Sequence, residues 1–173
     1  YTGAADSTTK NLHFPEFGTG VISIASGGYL TNAPGSVLSG AGAFRKQGAG
    51  TLVFNQIDAN TLSGPVFVDA GTLRVRRHLA LGTTTQTVVS SGASLEIDSD
   101  ESNIAFETGV LRLSGHGIEG AGALRILQNR QNNCITGAVI LAADAAIAYD
   151  GASEAFYFTN GVISGEGRLT KLG

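Results

Sequence analysis

The sequence predicts an all-β fold: a parallel β-helix (β-solenoid) of roughly eight coils with almost no α-helix. Three observations support this prediction. Apolar and polar residues alternate with period two over many short segments, which is typical of half-buried strands. Glycine, at 25 of 173 residues, interrupts the chain every few positions and leaves hardly any segment with helical apolar spacing. A glycine followed by a short strand recurs about every 20 residues, as in stacked solenoid coils.

The alternating segments predict short strands with aliphatic residues on one side and polar residues on the other. We expect the aliphatic side chains to stack inside in ladders and the glycines to lie at corners, where the backbone needs positive φ or close approach. The clearest such strands are Val21-Ile22-Ser23-Ile24, Leu73-Arg74-Val75-Arg76, Leu95-Glu96-Ile97-Asp98 and Leu111-Arg112-Leu113.

The glycine-strand phrase occurs in two forms. The first form begins at Gly50, Gly71, Gly92 and Gly109, with two equal intervals followed by a somewhat shorter one. A β-sandwich also has many short strands, but it has no reason to repeat one phrase at nearly constant spacing. Coils pairing at about 4.8 Å would form a rod on the order of 40 Å long. The second form covers Ser39 to Lys46, Glu119 to Arg125 and Ser164 to Lys171.

Composition excludes several classes of function. Eleven basic and fourteen acidic residues give a net charge of −3 without a basic stripe, so we expect no nucleic-acid partner. No apolar run approaches the roughly 20 residues that a membrane-spanning helix needs. The single cysteine, Cys134, allows no intrachain disulfide. Because the chain begins at Tyr1 and has no methionine, we interpret residues 1–173 as one β-solenoid segment of a longer repetitive protein.

The stretch from Leu38 to Phe54 resembles the autotransporter-associated β-strand repeat of autotransporter passenger domains. Residues 60–64 are similar to the Asn-Thr-Tyr-Ser/Thr-Gly phrase of that family, with Leu62 in place of the aromatic residue, and residues 68–73 followed by 80–82 resemble its closing half. The resemblance spans about residues 36–97, weakens over 117–148 and returns at 164–173. It implies a right-handed parallel β-helix outside a Gram-negative-type cell, carried by a C-terminal outer-membrane β-barrel that this sequence does not contain.

The function expected from these features is non-catalytic. The chain would be a cell-surface or secreted structural and interaction segment, such as an adhesin stalk, a spacer or an assembling repeat, with a role in adhesion and virulence. Its expected partners are flanking repeats and the barrel of the same polypeptide, further copies through end-to-end self-association, and a host or cell-surface glycan or protein. No catalytic, cofactor-binding or metal-binding residue is assigned.

Two alternatives remain open. A carbohydrate-active β-helix enzyme, such as a polysaccharide lyase or hydrolase, would need two carboxylates from adjacent coils roughly 5 to 10 Å apart. A receptor-binding toxin passenger would be favoured by an exposed loop insertion, for which residues 98–106 are the candidate.

Several motifs resemble nucleotide-binding, catalytic or metal-binding sequences but lack the flanking features that such sites need. Residues 115–120 fit GxGxxG without a following helix for a pyrophosphate, and residues 151–155 fall one glycine short of a nucleophile elbow. The three histidines are isolated, which favours solvated positions: His13, His78 and His116. Asp98, Asp100 and Glu101 carry oxygen ligands suited to Ca²⁺ but lack a calcium-loop signature, so a solvated acidic corner is favoured.

Three further groups are interpreted from strand alternation. Arg74, Arg76 and Arg77, followed by His78, form the basic patch of the sequence; a polyanion contact is the functional interpretation, and solubility is favoured over it. Cys134 is expected near a strand start as a small packed residue. In the aromatic run at residues 156–158, alternation buries two rings and leaves Tyr157 outside.

Overall fold

The structure is a computed structural model that describes residues 5–55, 60–128, 130–151 and 155–173. Within these residues it contains β-strands and one short 3₁₀ turn, Ile118–Gly120, and no α-helix, as predicted. The strands in chain order are β1 (Asp6–Thr8), β2 (Leu12–His13), β3 (Thr19–Ser23), β4 (Tyr29–Asn32), β5 (Leu38–Gly40), β6 (Ala43–Gln47), β7 (Thr51–Phe54), β8 (Thr61–Leu62), β9 (Val66–Val68), β10 (Gly71–Val75), β11 (Gln86–Val89), β12 (Ala93–Asp98), β13 (Ala105–Glu107), β14 (Val110–Gly115), β15 (Leu124–Gln128), β16 (Cys134–Thr136), β17 (Val139–Tyr149), β18 (Tyr157–Thr159), β19 (Ile163–Gly165) and β20 (Leu169–Leu172).

The strands form three faces of one parallel solenoid. The first face runs β1-β4-β7-β10-β12-β15, the second half of β17 and β20. The second face contains β2-β5-β8 and, further along the stack, β13-β16-β18. The third face runs β3-β6-β9-β11-β14, the first half of β17 and β19. The strands complete about seven turns, close to the predicted eight.

Strand β17 explains why the first and third faces belong to one 14-stranded sheet. Its first half pairs with β14 and β19 on the third face, and its second half pairs with β15 and β20 on the first face. The corner between the two halves, residues 142–144, is exposed. The chain therefore turns this corner without leaving the extended conformation.

The core is a set of inward ladders that pass from coil to coil. On the first face, register partners on successive coils are Leu30, Leu52, Leu73, Leu95, Leu124 and Ile147. The rings of Phe14, Phe44 and Phe54 stack beside them at centroid distances of 5.5 and 5.7 Å. Burying one such side chain stabilises the fold by about 1.5–3 kcal/mol. Each coil contributes only one layer, so the core exists only in the stack.

The repeated glycine-strand phrase does not always occupy the same face. The strands after Gly50, Gly71 and Gly92 are β7, β10 and β12 of the first face, whereas the strand after Gly109 is β14 of the third face. The last interval of the repeat is therefore shorter because it ends at another corner. The next first-face strand is β15, whose Arg125 is the register partner of Glu96.

Candidate functional site

The basic patch and the acidic turn of the sequence meet on adjacent coils. Alternation places Leu73 and Val75 inside and Arg74 and Arg76 outside, as predicted. The coil offset sets Glu96 directly beside Arg74, and the acidic residues that follow contact the remaining arginines. The closest distances from guanidinium nitrogen to carboxylate oxygen are 2.8 Å for Arg74–Glu96, 3.5 Å for Arg76–Asp98 and 3.2 Å for Arg77–Asp100, and Arg77 also pairs with Glu101.

These contacts change the interpretation of both clusters. The sequence favoured a solvated acidic corner and a solubility patch, but the carboxylates and guanidinium groups are partners of each other. The reason is the coil offset of 22 residues between Arg74 and Glu96, which local alternation does not reveal. In the described parts of the chain, no group of three or more His, Cys, Asp or Glu residues is arranged to hold a metal ion.

The ion pairs continue along the first face as a ladder. Arg125 lies 3.6 Å from Glu96 and 2.5 Å from Asp150, so four successive coils are joined by Arg74, Glu96, Arg125 and Asp150. Burial alone would lower the pKa of Arg74, but its hydrogen bond to Glu96 and the nearby negative charges outweigh burial and raise that pKa above its ordinary value. Arg74 therefore keeps its positive charge at neutral pH.

Lys46 is a buried cation that the sequence reasoning missed. It lies fully buried in an aliphatic row on the third face, between Ile22 and Val68. Its Nζ donates to the carbonyl oxygens of Gln47, Gly48 and Ala70 at 3.0, 2.8 and 2.9 Å. Burial lowers the pKa of Lys46 to about 8. Alternation along β6 places this side chain inside, but lysines are rarely buried without partners. The sequence did not show that backbone carbonyls of the following corner and of the next coil would be these partners.

Two buried asparagines cap backbone groups between coils. Asn60 Oδ1 accepts the Leu38 N–H at 2.8 Å from the preceding coil, and its Nδ2 donates to Ala80 O at 2.6 Å in the next one. Asn133 Oδ1 accepts the Ile104 N–H at 2.9 Å, and its Nδ2 donates to Glu101 O at 2.8 Å. Asn60 opens the phrase on which the family resemblance partly rests. Its structural role is to satisfy backbone groups where no strand pairing is available.

A groove of about 360 Å³ lies at the corner between the second and third faces. Threonine side chains, the Glu107 carboxylate and two corner glycines line it, with contributions from three successive coils. A second cavity of about 290 Å³ lies at the last coil and is mainly apolar, with Ile126, Tyr149 and Phe156 in its wall. Neither was predicted, because both combine residues from different coils.

The histidines and the two short motifs occupy the following positions. The histidines are exposed: His13 Nδ1 lies 3.1 Å from Ser39 Oγ, and His78 Nδ1 lies 3.1 Å from Ala105 O. The GxGxxG segment leads into the 3₁₀ turn and then β15, without the helix that a dinucleotide site needs. Three residues of the elbow-like segment, 152–154, lie outside the described residues.

Cys134 and the aromatic run lie together on the second face. Cys134 opens β16 as predicted and is half-buried between its register partners Ala105 and Tyr157. Phe156 and Phe158 pack against the core with their rings edge-on at 5.9 Å, whereas Tyr157 is 47% exposed. The predicted division of the three rings is confirmed.

The predicted exposed loop contains both open and tethered residues. Residues 100–103 are exposed, whereas Ile104 and Phe106 are buried, and β13 begins at residue 105. Arg77 contacts Asp100 and Glu101 from the coil below. The described residues include no helix long and apolar enough to cross a membrane.

The fold and a family match define the class of protein. Residues 44–75, from β6 to the end of β10, match the passenger-associated-transport-repeat. These residues contain the buried lysine, the Asn60 cap and the first ladder arginine. The chain therefore carries a repeat of the autotransporter passenger family, and the resemblance found in the sequence is confirmed.

A particular relative supports the same class. The chain is 32% identical over 141 residues to the "Adhesin BmaC autotransporter" of Brucella suis biovar 1 (strain 1330). The match covers 80% of this chain but only 4% of that protein. The chain is thus a passenger segment similar to part of an adhesin. No solved structure matches the chain significantly.

Proposed function

We propose that residues 1–173 form a single, non-catalytic segment of a longer autotransporter passenger exposed on a bacterial cell surface or secreted, where it serves as an adhesin stalk or spacer. The observation that carries this proposal is the parallel stack of about seven coils around one continuous core. Such a stack keeps its shape along its length and holds flanking parts at a fixed distance. Similarity to a segment of an adhesin supports the same role.

The ends of the stack suggest its partners. Exposed apolar side chains occur on the first coil at Phe17 and Val21, and on the last coil at Val162 and Leu169. An unpaired strand edge readily accepts another strand. We assign flanking repeats of the same polypeptide to these ends, with anchoring through the outer-membrane barrel that the family implies. End-to-end association of separate copies is the competing use of the same edges.

The outer carboxylates support a non-catalytic role. Glu96 and Asp98 project from one coil and Asp150 projects from the second coil beyond it, but each contacts an arginine. Glycoside hydrolysis needs one carboxylic acid and one carboxylate free to act on a sugar. Incubation of the purified chain with a panel of polysaccharides should release neither reducing ends nor unsaturated sugars. Depolymerisation of any of them would contradict the proposal.

The spacer role is tested in the full-length protein. In-frame deletion of residues 1–173 should shorten the passenger seen by electron microscopy by roughly 34 Å, the height of about seven coils at about 4.8 Å. Surface display should persist, and adhesion to host cells should fall. Insertion of unrelated solenoid coils of equal length should restore adhesion if the segment is a spacer. If display is lost on deletion, or if the replacement coils fail to restore adhesion, the segment has another role.

A further inference from the structure

Glu107 is a half-buried carboxylate without a partner among the described residues. The other carboxylates that are buried or half-buried there, Asp69, Glu96 and Asp98, each form an ion pair with an arginine. Glu107 ends β13 in the groove between the second and third faces, and no ion pair or hydrogen bond satisfies its side chain within the described chain. A partly desolvated carboxylate is stabilised by hydrogen-bond donors, which a ligand in this groove could supply.

Two corner glycines form part of the groove lining, where the backbones of successive coils approach closely. Gly109 and Gly137 have φ of 60° and 103°, and a Cβ at Gly109 would lie 2.4 Å from Thr84 O. The side chains of the lining include Thr83 and Thr85 from one coil and Thr136 from another. The volume of about 360 Å³ falls in the range of small-ligand sites.

The walls combine hydroxyl groups, methyl groups and one negative charge. Thr85 and Thr136 have no side-chain hydrogen bond among the described residues, and Val110 and Ala138 add apolar surface. Sugar hydroxyls can donate to the carboxylate in strong charge-assisted bonds and accept from the threonines, while sugar C–H groups pack against the methyl groups. The negative charge disfavours an anionic ligand. The lining contains one carboxylate, whereas glycoside hydrolysis uses two. The groove therefore suits sugar binding and not sugar cleavage.

An exposed aromatic ring lies beyond the groove on the outer surface of the second face. Glu107, Thr136 and Thr159 are register partners on β13, β16 and β18. Tyr157 precedes Thr159 by two residues and therefore projects from the same side of β18, where it is 47% exposed. Two coil steps and two residues separate Glu107 from Tyr157 by roughly 12 Å. A di- or trisaccharide can span this distance, with one ring on the tyrosine face.

We propose that the groove around Glu107 binds a neutral oligosaccharide, with Glu107 and Thr136 holding sugar hydroxyls and Tyr157 contacting a further ring. This site goes beyond the spacer role and does not depend on it, because surface display and rod length do not involve the groove. It gives the segment its own ligand-binding capacity.

The test uses the purified chain and an array of neutral di- to tetrasaccharides, with sialylated and sulfated glycans for comparison. Neutral sugars that bind are then titrated by calorimetry. Glu107→Gln should weaken binding by about tenfold to a hundredfold, since hydrogen bonds to charged groups contribute about 1.5–3 kcal/mol. Thr136→Val should weaken it less, and Tyr157→Ala should mainly affect the longer sugars.

Glu119→Gln is the matched control, because it removes an exposed carboxylate outside the groove. It should leave the affinity unchanged. Thermal unfolding of each variant verifies that the solenoid is intact. The site is disproved if no neutral sugar binds, if anionic glycans bind in preference, or if folded Glu107→Gln binds as well as the unmodified chain.

Discussion

Arg74 and Glu96 are register partners on adjacent first-face strands, and Arg74 Nη2 lies 2.8 Å from a carboxylate oxygen of Glu96. The Glu96 side chain is 8% exposed, so water satisfies little of its charge. The pair also meets Arg125 from the next coil. This ion pair therefore links two successive coils, forms only when their strands are in the observed register, and neutralises charge on the outer surface.

Replacing the acidic partner of this pair should destabilise the stack. Glu96→Gln keeps the shape of the side chain but removes its charge, leaving Arg74 and Arg125 with a weaker acceptor. We expect the free energy of unfolding to fall by about 1–3 kcal/mol. Urea denaturation measures it, with exposed Glu119→Gln expected to change stability by less than about 0.5 kcal/mol. Equal effects of the two substitutions would show that the ladder contributes no stability.

Two glycines with positive φ should tolerate alanine very differently. Gly71 has φ of 67°, and a Cβ there would lie 2.3 Å from Gly48 O and 2.7 Å from Lys46 Nζ. Gly92 has φ of 80°, but a Cβ there would meet nothing within 4 Å. Gly92→Ala should cost only the left-handed backbone penalty of about 1–2 kcal/mol. Gly71→Ala should cost clearly more, and matching melting temperatures would refute the close packing of this corner.

The buried cap Asn60 should contribute more to the free energy of unfolding than the exposed cap Asn11. Asn60→Ala removes the acceptor of the buried Leu38 N–H, at a cost of about 1–3 kcal/mol. Asn11 caps the Val37 N–H in the same way but in an exposed position. There water can replace the side chain, so Asn11→Ala should cost about 0.5 kcal/mol or less. Chemical denaturation of both variants tests this order, and the reverse order would contradict it.

The lowered pKa of Lys46 predicts a pH dependence with a definite sign. In the folded chain this pKa is about 8, and the ordinary value for a lysine is 10.5. Between these values the unfolded chain binds the proton more tightly, so the contribution of Lys46 to stability increases as pH rises from about 8 to 10.5. Below about pH 8 the cost of burying the charge is fully present.

Lys46→Met isolates this contribution from the other groups that titrate in the same range. Free energies of unfolding of both chains are compared at intervals from about pH 7 to pH 11. The difference should move in favour of the unmodified chain as pH rises through the window from about 8 to 10.5. A constant difference, or a change in the opposite direction, would rule out a lowered pKa.

The arginine patch should bind polyanions only when its acidic partners are removed. The triple change Asp98→Asn, Asp100→Asn and Glu101→Gln removes the charged partners of Arg76 and Arg77, while Arg74 keeps its pair with Glu96. It should raise the salt concentration at which the chain elutes from a heparin column.

The matched control changes three exposed carboxylates elsewhere, Glu16, Glu119 and Glu166, to glutamine. It alters net charge equally and should shift elution much less. Similar elution of the two triple variants would mean that net charge, and not the patch, controls polyanion binding.

Local sequence patterns predicted the strands and the inward or outward direction of their side chains. Arg74 projects outward between two buried aliphatic residues, and Tyr157 projects outward between two packed rings, because alternation along a strand depends only on immediate neighbours. The same patterns did not tell which corner a glycine marks. Gly92 precedes a first-face strand and Gly109 a third-face strand, although their phrases read alike.

The sequence by itself determined a β-solenoid architecture, because period-two alternation and repeated glycine turns are local properties of the chain. The passenger class was indicated by the resemblance of residues 36–97 to a known repeat. The tertiary structure alone decided which residues meet. Arg74 contacts Glu96, Lys46 donates to Ala70 O, and Glu107 lies beside threonines, in each case from another coil. The number of residues between contacting positions changes along the stack. Which residues of two coils lie side by side depends on the lengths of all the strands and turns between them, and no single segment of sequence specifies those lengths together.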